Sequence, residues 1–170
     1  MSGRQTLWTT VAAGLAALVL LSGASGAGGG VSQSQLRAAC AGLTSKMVCY
    51  HEQARRQYSL ALLQRSTRLD RAARLKADRI VHCRRFTHQP CGDSFVRPLR
   101  LVGYIPWRSG WLVGENLAYG FGTPWAAFDG LMHSPRHREN ILDRTFREIG
   151  VAERRSPWGP LWVLEYGRHL

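Results

Sequence analysis

The chain predicts an α+β fold, on three observations. Two segments in its first half repeat apolar residues at helical spacing, at residues 44–58 and 67–80. Two β-type runs close the chain, Ile149-Gly150-Val151-Ala152-Glu153 and Leu161-Trp162-Val163-Leu164-Glu165-Tyr166, around a turn carrying Ser156-Pro157 and Gly159-Pro160. The length, 170 residues, suits one domain with a core of its own. Helices first and a hairpin last suggest segregated layers.

The elements follow in order. Over 44–58, Met47, Tyr50, Ala54 and Tyr58 share one face, and Thr44 or Ser45 is placed to cap the start. His51-Glu52 begins a zinc-protease motif without its second histidine and reads as helix surface. In the next helix Thr67 and Asp70 resemble a capping box with Asp for Glu. Leu69, Ala72, Ala73, Ala77 and Ile80 form its stripe, and Arg68, Arg71, Arg74, Lys76 and Arg79 read as a solvated face. Beyond it, 95–101 predicts a short helix ending at Gly103, and Trp111-Leu112-Val113 a strand leading into Gly114-Glu115-Asn116-Leu117-Ala118. Gly120, Gly122 and Pro124 mark a turn before a helix over 125–132, and 137–142 reads as a short helical turn.

Residues 1–27 predict a signal peptide. Arg4 is the only charge before Arg37, an apolar run spans 11–21, and small residues follow from Ser22 to Ala27. A retained anchor is the alternative, although the apolar run is shorter than a spanning helix prefers. Residues 28–43 read as a linker and 44–168 as the domain. Export makes the four cysteines candidates for disulfides, and the local pairing Cys40–Cys49 plus Cys83–Cys91 is expected. Neither pair has the short spacing of a zinc site.

The formal net charge is +12, and only Lys46 and Lys76 among the 23 basic residues are lysines. Such a surface attracts anionic polymers or lipid headgroups. Nucleic acid is not the expected partner, because export removes it and no groove-reading motif is present. There is no Ser elbow, phosphate loop or dinucleotide fingerprint, so no nucleotide cofactor is expected.

The residues left to carry chemistry are His88, Glu115 and His137, read as loop residues around the core elements. Two histidines and a carboxylate suit a zinc ion with an open position, or general acid–base work. Bonding to nearby backbone is the plainer alternative.

Phe86-Thr87-His88, Gly114-Glu115-Asn116-Leu117-Ala118 and Ser134-Pro135-Arg136-His137-Arg138-Glu139-Asn140-Ile141-Leu142 occur in this order. Together they resemble the bacterial branch of the CAP superfamily (cysteine-rich secretory proteins, antigen 5 and pathogenesis-related 1), also called SCP domains. The resemblance runs from about Cys49 to Gly167. It implies a three-layer α–β–α sandwich with a central antiparallel sheet. It also implies a cleft in which His88, Glu115 and His137 match three of the family's four His/Glu positions. The fourth falls in Phe128-Asp129-Gly130-Leu131-Met132-His133-Ser134, which has no Glu; Asp129 or His133 are the substitutes to consider. Leu131 stands for the family's usual Trp, and Glu52 for an Asn.

The expected cleft holds a small apolar or amphipathic ligand or a cell-envelope component, with zinc or another divalent ion at His88, Glu115 and His137. A hydrolase acting on peptide or envelope material is the alternative. The protein is expected to be a secreted monomer that touches membrane only through its leader or its charge. Asn116 reads as a turn residue, and Asn140 as a brace for the His137 turn. Trp162 reads as core; Trp107, Trp111 and Trp158 lie near turns, and core or surface packing is expected of them, with a cleft rim as the alternative.

Overall fold

A computed structural model describes residues 46–106 and 110–170, with Ser32 and Ser34. The predicted leader, the Cys40 end of its disulfide, Trp107 and the cap at Thr44 or Ser45 lie outside the described residues. Among the described residues no helix is long and apolar enough to cross a membrane.

The first helix, α1 (Lys46–Gln57), is followed by the short strand β1 (Gln64–Arg65) and helix α2 (Thr67–His82). A single 3-10 turn, Pro90–Gly92, precedes α3 (Arg97–Leu101). Strand β2 (Trp111–Tyr119), helices α4 (Pro124–His133) and α5 (Pro135–Leu142), and strands β3 (Glu148–Ser156) and β4 (Gly159–His169) complete the order. The sheet runs β1-β3-β4-β2. β4 pairs antiparallel with both neighbours, and β1 adds parallel to β3. The central sheet is therefore mixed at one edge.

Alternation along β4 builds two cores. Leu161 and Val163 pack with Ala73, Ala77 and Ile80 of α2, while Trp162, Leu164 and Tyr166 pack with α1, α4 and α5. The result is the expected α–β–α sandwich, with α2 and α3 on one face and α1, α4 and α5 on the other. Trp162 is core as expected; Trp111 and Trp158 pack against the core clusters and do not rim a cleft.

Helix α2 lies directly against the sheet at Gly150. A Cβ there would stand 2.1 Å from the Leu69 carbonyl carbon and 2.3 Å from the Asp70 nitrogen. Only glycine permits that spacing.

Four sequence expectations change. β2 is one strand of nine residues, not a short strand and a loop. Its polar residues suggested a loop, but each is satisfied inside the protein. The capping box at Thr67 and Asp70 does not form: the N-cap is Ser66, without a side-chain bond. Asp70 is spent on tying α2 to the sheet, accepting from Val151 N and Arg65 Nε, each at 2.9 Å. Lys76 is buried, not on the solvated face.

His51 is fully buried rather than on the surface. Its Nδ1 bonds the Met47 carbonyl at 2.7 Å, and its Nε2 meets the Tyr166 hydroxyl at 2.9 Å. Burial pushes its pKa down to about 4, against the raising effect of the Met47 carbonyl, while nearby Arg55 adds to the lowering. The unfolded chain thus takes up the His51 proton first as pH falls. Stability from neutral His51 is complete above about pH 6.5 and drains away toward pH 4, by about 3 kcal/mol in all. The difference in urea-unfolding stability between the wild type and His51→Gln, followed from pH 7.5 to 4.5, should show this slope.

A second expected outcome concerns Gly150. Gly150→Ala should lower stability by roughly 2 kcal/mol or more through overpacking against the α2 backbone. Thermal unfolding at neutral pH measures it, and an unchanged midpoint would show that α2 can lift away freely.

Candidate functional site

The site lies at the β2 edge of the sheet, where the two helical layers face one another. Residues of a strand point alternately to opposite faces. Glu115 and Leu117 turn toward α2, and Asn116 and Ala118 toward α1, α4 and α5.

On the α2 side, Glu115 and Lys76 form an ion pair, Nζ to Oε2 at 3.0 Å, with each side chain only 1% exposed. The other oxygen, Oε1, accepts from His88 Nδ1 at 2.7 Å. A carboxylate accepts only, so Nδ1 carries a proton in this contact. The His88 side chain is 53% exposed. Lys76 Nζ also donates to the His88 carbonyl at 2.6 Å and to the Phe95 carbonyl at 3.3 Å.

The loop that carries His88 is closed by the Cys83–Cys91 disulfide, as the sequence predicts, with Cα atoms 5.5 Å apart. Its Phe86 ring lies edge-on to Tyr119 at the end of β2, centroids 4.5 Å apart.

On the other face, Asn116 is fully buried in the strand rather than in a turn. Its Nδ2 donates to the His137 carbonyl at 2.9 Å and to the Tyr166 hydroxyl at 3.2 Å. Asn140 Nδ2 in turn donates to Asn116 Oδ1 at 2.8 Å and to the Glu115 carbonyl at 3.2 Å. Asn140 therefore braces α5 to β2. His137, on the first turn of α5, is half-buried. Burial and then the charge of neighbouring His88 hold its pKa below the ordinary histidine value.

A groove of about 240 Å³ opens beside His137, lined by Phe86, Leu117, Ala118, Tyr119, Phe121 and Leu131, among others. Its walls are apolar with His137 and Ser134 at one side.

One residue was missed from the sequence. Glu165 on β4 stands directly opposite Glu115 in the strand register and is fully buried. Burial, then the Glu115 carboxylate, pushes its pKa well above the usual carboxylate range, and Lys76 acts weakly the other way. In its protonated form its carboxyl is a donor to the neighbouring Glu115 carboxylate, and no other protein group bonds to it. Strand alternation was the available signal, since Glu165 follows Leu161 and Val163 on an inward face. Asp129 and His133 are not second-glutamate substitutes. His133 Nδ1 bonds the Asp129 carbonyl at 2.8 Å on the outer side of α4, and neither lines the groove.

The chain matches the family model for the cysteine-rich secretory protein family over residues 48–166. It belongs to the CAP family. Its fold is similar to that of an outer surface protein from Borrelia burgdorferi, with TM-score 0.63, 19% identity, and 73% of this chain and 90% of that one covered. It is also similar to an extracellular SCP-domain protein of Bacillus anthracis, at TM-score 0.63 and 20% identity over 73% of this chain. A cysteine-rich secretory protein of Staphylococcus aureus follows at 0.58 and 17% over 71%. This chain spans only 39% and 36% of those two proteins. No curated protein matches by sequence.

The CAP resemblance implies a divalent ion at His88, Glu115 and His137. Among the described residues, no group of three or more His, Cys, Asp or Glu is arranged to hold one. The donor chemistry gives the reason. One Glu115 oxygen faces an ammonium and the other a histidine N–H, so Glu115 orients His88 and is not a free ligand. The three residues therefore do not fit a three-ligand metal set.

Because Glu165 favours its proton in the folded state, the fold binds more protons here than the unfolded chain does. The Glu165 contribution to stability should fall as pH rises above the ordinary carboxylate range. Glu115 and Lys76 are the charged groups facing it. Glu165→Gln mimics the protonated acid. It should cost little in acid and gain relative to the wild type toward pH 8, by thermal melts across that range.

Proposed function

We propose that this CAP-family protein is exported and binds a small apolar or amphipathic molecule in the groove at the β2 edge. The observation that carries the reading is the exposed aromatic pair at its mouth. Phe86 and Tyr119 remain 39% and 49% exposed although they adjoin an apolar cavity. Covering such rings is favourable by about 1.5–3 kcal/mol for a full side chain. On the same groove wall His137 and Ser134 offer polar contact, so a ligand with an apolar body and a polar end suits the groove. The volume is below that of a typical drug-sized pocket, which favours a short molecule or one segment of a longer chain. Export is supported by the sequence of residues 1–27 and by relatives described as outer surface or extracellular proteins.

Fluorescence titration with a labelled short-chain fatty acid tests it. Saturable binding is expected, and Phe86→Ser with Tyr119→Ser should weaken it roughly tenfold or more. A wild-type protein that gives no saturable signal would end the lipid reading.

A second reading is favoured by the His88–Glu115 contact. An exposed imidazole whose Nδ1 is held by a buried carboxylate is the arrangement of a general base acting on water. The reading is then a hydrolase for peptide or envelope material. Incubation with peptidoglycan fragments or a peptide library should give turnover that His88→Ala abolishes. Turnover that survives in His88→Ala removes this reading and leaves the binding reading untouched.

A further inference from the structure

We propose that Lys76 is the resident cation of this site, a positioning residue that orients His88 without any metal. The proposal does not depend on what occupies the groove.

The geometry has two parts. Lys76 grips His88 at both ends. Its ammonium donates to the His88 backbone carbonyl at 2.6 Å, and it pairs with the Glu115 oxygen at 3.0 Å whose partner oxygen takes the ring N–H. Its third neighbour is the Phe95 carbonyl, with the Phe95 ring 5.0 Å from Nζ. A single buried side chain therefore fixes the height of the His88 loop and the rotation of its ring.

The second part is the charge around it. Glu115 and Glu165 are adjacent on neighbouring strands, both buried, and Lys76 is the cation placed with them. The Glu115 carboxylate, with a second acid beside it, would be costly to bury without a cation. In a metal site a divalent ion performs that service and a carboxylate orients the liganding histidine. Here an ammonium from the middle of α2 supplies the positive charge. That is why Glu115 is committed and why the His/Glu set fails as a metal cage.

The test is the tautomer of His88, read by long-range ¹⁵N–¹H NMR of the imidazoles on the full protein after chelation. The wild type should show the Nδ1–H form without metal, and zinc should not be needed to lock it. In Lys76→Met that form should fall several-fold as the ring escapes Glu115, and Lys76→Arg should restore part of it. Should Lys76→Met fail to fold, Lys76→Met with Glu165→Gln removes one of the stranded acids and gives the same reading. Mixed tautomers in the chelated wild type that zinc then locks would overturn the proposal. So would a wild-type signature that persists in the methionine variant.

Discussion

Burial of one ammonium between helix and sheet is the constraint around which the α2 side of this protein is arranged. Lys76 sits on the face of α2 that packs against β3 and β4, where every neighbour on the stripe is Leu, Ala or Ile. A charge in that position is tolerated only if its partners are complete. They are drawn from three places in the chain: a carboxylate on β2 and two loop carbonyls at His88 and Phe95. The loop after α2 is thus pinned from inside by Lys76 and from outside by the Cys83–Cys91 bridge, which limits its unfolded freedom. A loop that would otherwise be mobile becomes a mount for a histidine.

The other face of the sheet solves the matching problem with neutral groups. Asn116 follows Glu115, so it points the opposite way, and it holds the backbone of His137 as Glu115 holds the ring of His88. Its partners continue inward through Tyr166 to His51 on α1 and sideways to Asn140 on α5. Two consecutive residues of an edge strand therefore position two histidines from opposite layers. This explains why a strongly polar pair sits in the interior of a strand. It also explains Gly114 before it, where a Cβ would lie 2.7 Å from the Phe146 ring.

Much of the fold was legible because its signals are periodic. The stripes of α1 and α2, the closing hairpin and the Cys83–Cys91 bridge follow from spacing alone. What escaped was polar residues in apolar positions. Lys76 lies three residues after Ala73, four after Ala72 and seven after Leu69, squarely on the buried stripe, yet its charge assigned it to solvent. His51 stands four after Met47 and three before Ala54 and was misplaced for the same reason. Glu165 alternates with Leu161 and Val163. In each case period outweighed polarity. His88, Glu115 and His137 were found through motif order, which names residues without revealing that Glu115 is an orienting group inside a strand.

The same strand also joins chemistry to recognition. Past Glu115 and Asn116, β2 continues through Leu117 and Ala118 to Tyr119, and these three line the groove. The polar end of the site and its apolar wall are therefore successive parts of one element, about 3.4 Å per residue apart. A molecule lying along the edge of β2 would meet aromatic surface at Phe86 and Tyr119 and imidazole at His137. That order favours an amphipathic ligand over a uniformly polar one, since a polar molecule would leave the aromatic rings uncovered and gain nothing from them. It also separates the two roles physically. The exposed arginines of α2, Arg68, Arg71 and Arg74, lie on the helix face turned away from the sheet and do not line the groove. The β2 edge thus sets an apolar groove at one end of the strand and a histidine held by a buried ammonium at the other.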